Sequence, residues 1–267
     1  MKEIKKKAEK KQSGGKIPEG LLEFLAALGV IVLVVAVIFA TRSCTIGDGE
    51  GSGDNETDSS AAEKYPTTTV LNTIAASESL YPIKVSESIT LDKVYTATGY
   101  FPEDGTDEAV ENVLAVKLTN TSEKTLEYLT FKLNVNGEFY KFAATTVPAG
   151  KSVYVFNADR KSAPAEVQYA ISEVEYEIYF AEEPTTNPES FLYKIENGTI
   201  VVKNISDSDI RSDIVVYYKS TAENGYLGGI TYRFRISGGL AAGKTYNGYA
   251  PHAYSHMTEI MFTQYEE

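Results

Sequence analysis

The hydrophobic pattern of the chain changes twice, and each of its three stretches predicts a different kind of structure. Residues 21–40 are apolar at nearly every position, with Glu23 the only charge and none from Phe24 to Ala40. Twenty helical residues at ~1.5 Å each span roughly 30 Å, the thickness of a bilayer's hydrocarbon core, so this stretch predicts one transmembrane helix. It lacks the amphipathic stripe that a helix buried in a soluble domain would show. Residues 41–65 reverse the pattern. The run Gly47-Asp-Gly-Glu-Gly-Ser-Gly-Asp-Asn-Glu-Thr-Asp-Ser-Ser-Ala-Ala62 can bury almost nothing, and it predicts a solvated acidic tether with a reach of roughly 20–25 Å.

Beyond residue 65 the apolar positions alternate with period two, the signature of half-buried strands. Alternation is plain in Leu129-Thr-Phe-Lys-Leu-Asn-Val135 and in Glu138-Phe-Tyr-Lys-Phe142, with Asn136-Gly137 between them. Asn-Gly between alternating runs signals a hairpin, because both turn positions favour positive φ. Asn197-Gly198 repeats the device after Tyr193-Lys-Ile-Glu196. Every Tyr lies at residue 65 or later, where aromatic side chains suit a pleated, half-buried face. One short helix is expected, around Thr69–Ser77.

The β region contains one pattern twice. Asn120-Thr-Ser122, the strand at Leu129/Phe131/Leu133, Val147-Pro-Ala-Gly150-Lys151 and Ile171–Tyr179 follow in that order. Asn204-Ile-Ser206, the strand at Ile214/Val216/Tyr218, Leu240-Ala-Ala-Gly243-Lys244 and Met257–Tyr265 repeat it, 84 to 93 residues later. Glu182-Glu-Pro-Thr-Thr-Asn-Pro-Glu189 has two prolines and no apolar residue, and marks a linker. The expected fold is all-β: two tandem immunoglobulin-like antiparallel β-sandwiches behind one transmembrane helix. The expected boundaries are 1–20 for a basic tail, 21–40 for the helix and 41–65 for the tether. They continue with 66–181 for the first sandwich, 182–190 for the linker and 191–267 for the second sandwich.

Charge sets the orientation. Seven Lys and three Glu fall in residues 1–20, and only Arg42 follows the helix closely, so the N-terminus is expected in the cytoplasm and the β region outside the cell. A signal peptide cleaved after Ala40 is the competing reading, poorly served by the length of the run and by Ile38 at the −3 position. Glu23 reads as an interfacial charge rather than an intramembrane acid. The formal charge of −12 and a pI near 4.8 argue against nucleic acid as a partner.

The order Asn-x-Ser, alternating strand, turn, then Leu-x-Ala-Gly-Lys before another strand resembles the FxLYD-type domains of bacterial surface proteins. The resemblance is closer in the second half, where it covers about 75 residues and is carried by Gly229-Ile-Thr-Tyr-Arg-Phe, Leu240-Ala-Ala-Gly-Lys244 and the run through Tyr265. It implies an extracytoplasmic β-sandwich of Gram-positive type and brings no shared ligand or catalytic residue.

Candidate chemistry is sparse. His252 and His256, with Glu259 beyond, form His-x-x-x-His and could face one metal ion, but Ala253 stands where a zinc-protease motif needs Glu. Asp104 and Asp107 in one loop, and Asp207 and Asp209 in another, offer the hard oxygens calcium prefers, without EF-hand spacing. No Gly-x-Ser-x-Gly elbow occurs. Asn55, Asn120, Asn197 and Asn204 head glycosylation sequons in form, the last three at turns where a structural role is the plainer reading. Cys44, the one cysteine, reads as a bystander, a disulfide between two copies, or a lipidation site, the last spoiled by Arg42. Ala36 and Ala40 have the spacing that lets helices pair, so a homodimer through the helix or Cys44 is an expected partner state.

These features lead to a non-enzymatic cell-surface protein without a cofactor. It would sit in the cell membrane and offer its β region to an extracellular protein or envelope polymer. A spacer or accessory subunit of an envelope complex is the alternative, and a metal-dependent enzyme using His252 and His256 the least favoured.

Overall fold

The computed structural model describes residues 69–73, 81–106, 108–164 and 170–266, and those residues contain strands and no helix. The expected transmembrane helix, tether, Glu23 and Cys44 lie outside the described residues. The first seven strands are β1 Val70–Thr73, β2 Ile83–Lys84, β3 Ile89–Tyr100, β4 Ala109–Asn120, β5 Leu126–Val135, β6 Glu138–Val147 and β7 Ser152–Phe156. The rest are β8 Ala170–Tyr179, β9 Phe191–Glu196, β10 Thr199–Asn204, β11 Asp213–Ala222, β12 Gly225–Ile236, β13 Thr245–Tyr249 and β14 Thr258–Glu266. Val70–Thr73 replaces part of the helix expected at Thr69–Ser77: this short segment has no helical bonds of its own and pairs antiparallel with β3, Val70 against Thr98.

The sequence repeat is a repeat of strand order. In the first unit β3, β4 and β7 lie side by side, facing a sheet of order β6-β5-β8. In the second, β9, β10 and β13 face β12-β11-β14. The register agrees to the residue: Thr119 pairs with Ser152 and Ala115 with Phe156, as Lys203 pairs with Thr245 and Thr199 with Tyr249. Each unit closes on its own core, one around Leu91, Leu118, Phe131, Phe142 and Val155, the other around Ile200, Val202, Ile214, Val216 and Tyr218.

The two Asn-x-Ser motifs are one structural device used twice. Asn120 and Asn204 are 1% and 0% exposed. Asn120 Nδ2 donates to the carbonyls of Lys124 and Val147, both at 2.8 Å, and its Oδ1 accepts from Ser122 N and Oγ. Asn204 does the same with Ser208, Leu240 and Ser206. A buried amide so placed satisfies backbone groups the turn would strand, a contribution of about 1–3 kcal/mol each. Asn136-Gly137 forms the expected hairpin turn, with φ of 54° and 88°. At Asn197-Gly198 only the glycine is left-handed, because its N–H and C=O bond Ala253 and Ala250 instead of leaving the turn free.

The units share a sheet. β7, at the edge of the first unit, takes β12 of the second in parallel, Val153 against Tyr226 and Tyr154 against Leu227, giving one continuous sheet of order β1-β3-β4-β7-β12-β11-β14. A bulge makes this reach geometrically available. Between Tyr218–Tyr232 and Ser220–Leu227 the β11–β12 ladder advances two residues on one strand and five on the other. The three extra residues swing the tip of the hairpin out of its own unit and onto β7, as bulges re-aim strands elsewhere. The connecting segment is bonded on both sides: Glu183 accepts from Thr125, and Thr185 O accepts from Thr263 N.

Candidate functional site

The densest concentration of buried polar chemistry lies where the units meet. The β3–β4 hairpin is far longer than its counterpart. Tyr95 and Ala115 face each other as Glu196 and Thr199 do, yet 19 residues separate the first pair and only Asn197-Gly198 the second. The extension's Ala97, Tyr100, Phe101, Val113 and Ala115 form a third apolar cluster with Phe156 of β7, and Leu227 of the second unit packs in it. Burying a side chain of that size contributes ~1.5–3 kcal/mol.

The loop of the extension carries Glu103, whose carboxylate enters the junction at 8% exposure. Its oxygens accept from Phe156 N of the first unit at 2.8 Å and from Gly229 N of the second at 2.8 and 2.9 Å. Burial raises the carboxyl to about 7, against the N–H groups of Phe156, Gly229 and Ile230 and the Lys219 charge, which pull it down. Lys219 is fully buried and sits at the bulge. Its Nζ donates to three carbonyls, Thr145 at 3.0 Å, Gly229 at 2.9 Å and Ile230 at 2.8 Å. Three acceptors match the three protons of an ammonium, so the site is built for the charged form. Burial nonetheless lowers this group to about 7, with the Glu103 charge acting in the opposite sense.

Glycines permit the approach. A Cβ on Gly229 would stand 1.9 Å from Ala143 O, and Gly228, at φ +87°, lies against Pro102. Tyr232 completes the seam: its hydroxyl donates to Pro102 O at 2.8 Å and lies 3.3 Å from the Tyr100 hydroxyl. Chemically, this constellation joins. A carboxylate saturated by backbone N–H groups and an ammonium saturated by carbonyls hold two units together and present little to solvent.

The candidates read from sequence lie elsewhere or serve the fold. His252 stacks on Tyr232 at 4.3 Å and borders Gly105, while His256 is exposed in the turn before β14. Among the described residues no three His, Cys, Asp or Glu side chains gather as a metal ion would require. Asp104 accepts from Thr106 N and Oγ1 and pairs with Arg160. Burial opposes its charge, but the Thr106 and Arg160 hydrogen bonds together hold its carboxyl below the ordinary value. Asp107 lies outside the described residues. Asp209 is exposed and caps Ala242 N, and Asp207 is exposed beside it. The sequence marks Glu103 only as part of the acidic 103–108 loop that offers oxygens to calcium, and it does not mark Lys219 at all. The signal available for them was Gly228-Gly229 inside an otherwise regular strand, which marks a bulge or a close backbone approach.

No family model, no curated protein and no solved structure matches this chain.

Proposed function

We propose that the chain is a membrane-anchored cell-surface protein that displays two immunoglobulin-like β-sandwiches, fused into one body, for non-catalytic binding to an extracellular protein or envelope polymer. One observation carries the reading: an uncharged run from Phe24 to Ala40 behind seven lysines, followed by an acidic tether and then strands alone among the described residues. The resemblance of Gly229–Tyr265 to FxLYD-type domains of Gram-positive surfaces supports the same placement. Binding would use exposed strands and loop ends, where Leu192, Phe139 and Tyr249 leave apolar surface in water. The test is protease added to intact cells: cleavage of the carboxyl-terminal region supports the placement, and its survival while other surface proteins are cut overturns it.

The shared sheet favours a second reading, a rigid spacer in an envelope complex working through its membrane helix or basic tail. Deleting residues 1–20 while keeping 21–40 separates the two, since a binder acting through its β region keeps its activity and a tail-dependent subunit loses it.

A further inference from the structure

We propose that the outer edge of β13 is a self-association site at which two copies of this chain pair antiparallel about Asn247, forming a two-fold dimer. β13 ends its sheet, with β10 on one side and no strand on the other among the described residues. Its sequence, Thr245-Tyr-Asn-Gly-Tyr249, holds no charge and no proline, and its register with β10 has no bulge. Those are the devices that keep sheet edges from joining. Of the other terminal strands, β8 carries Glu173, Glu175 and Glu177, β9 carries Lys194 and Glu196, and β14 carries Glu259 and Glu266, while β1 is uncharged but only four residues long. On β6 the outward carbonyls are capped, Phe139 by Lys161 and Lys141 by Asn157.

The repeat itself indicates that this edge accepts a strand. β13 is the counterpart of β7, and the corresponding edge of β7 is filled by β12. Phe156 is 1% exposed beneath that addition, whereas Tyr249, its counterpart, is 75% exposed. A head-to-tail chain of copies would need β6 to act as β12 does. It cannot: the β5–β6 ladder runs without the three-residue bulge, and Glu138 stands at the turn position of Gly225, where a Cβ would come 2.5 Å from Ser152 O. An isologous pair needs neither.

Register makes the pair self-complementary. Glu196 and Thr199 flank a two-residue turn and bond each other, so the alternation along β10 points Ile200 and Val202 at β13. Gly248 and Tyr246 therefore bond inward, and Thr245, Asn247 and Tyr249 present their backbone groups outward. With Asn247 on the two-fold axis, each Thr245 meets a Tyr249 and the two Asn247 residues meet each other. The inference does not depend on the membrane placement proposed above.

The test uses the full-length chain with Cys44→Ser, which removes its only native thiol. Directly opposed, hydrogen-bonded residues of antiparallel strands lie ~5.5 Å apart at Cα, within disulfide range. Added Asn247→Cys should give a disulfide-linked dimer about tenfold faster than Lys194→Cys, an exposed position on β9. Equal rates, or no dimer while the thiol at 247 reacts freely with a maleimide, overturn the proposal. Asn247→Asp in the otherwise native chain sets two carboxylates face to face and should weaken dimerisation in sedimentation at least about tenfold; a native chain that stays monomeric, or a dimer unchanged by this substitution, overturns it as well.

Discussion

The β5–β6 and β11–β12 hairpins occupy the same place in two copies of one fold, and they behave differently. The first runs in unbroken register from Val135–Glu138 to Leu126–Val147, and the second breaks register between Tyr218 and Ser220. Three additional residues, two of them Gly228 and Gly229, send the second hairpin onto a neighbour's edge. The opposite ends differ in the same spirit. The long β3–β4 extension builds a clamp for that hairpin, while the tight β9–β10 turn leaves the corresponding end of the second unit open. Two units share one strand order; a bulge in one and an extended loop in the other join them in a single sheet.

The comparison breaks most sharply at Lys219. Lys219→Met strands three carbonyls and removes the Lys219 charge that favours the Glu103 carboxylate, so denaturant unfolding should show a loss of ~3–5 kcal/mol. Adding Glu103→Gln to that variant should cost less than the two single losses together, because each single change removes one charge of an interacting buried pair. Phe156→Ala and Tyr249→Ala test equivalent positions in the two units: the buried ring should cost ~3–5 kcal/mol and the exposed one no more than about 0.5 kcal/mol. Near-equal losses would mean that the junction does not cover Phe156. Asn120→Ala and Asn204→Ala should by contrast cost the same, about 1–3 kcal/mol each, since both units use the device identically.

The pair also sets a pH dependence. Glu103 holds its proton more tightly folded than unfolded, so its contribution is complete below the ordinary value of 4.5 and is lost as pH rises through about 7. Lys219 does the reverse, contributing fully above 10.5 and losing that contribution as pH falls through about 7. Stability should pass through a minimum near neutral pH, and the double variant E103Q/K219M should flatten it. A minimum that survives in the double variant would assign the effect to other groups.

Much of this fold was legible in the sequence. The alternation at Leu129–Val135, the turn at Asn136-Gly137 and the paired Asn-x-Ser and Ala-Gly-Lys landmarks each report local geometry, and local geometry is what short-range pattern encodes. The junction was not legible for a matching reason. A lysine in an alternating strand reads as solvent-facing, and what makes Lys219 internal is the carbonyl of Thr145, 74 residues away. Glu103 sits in an acidic loop that reads as solvated, while its donor Gly229 is 126 residues distant. The His252/His256 spacing read as one face of an element, but these residues fall in the turns between β13 and β14, where spacing sets no common face.

The central claim is that the second unit's hairpin is an integral strand of the first unit's sheet. Residue-resolved amide hydrogen exchange tests it at Phe156 and Gly229, which belong to different units and donate to the same carboxylate. Both should exchange only through global opening, with the protection of core amides such as Leu118 and Ile214. Gly229 exchanging at the rate of a surface hairpin, or the two units opening at separate free energies, would contradict it.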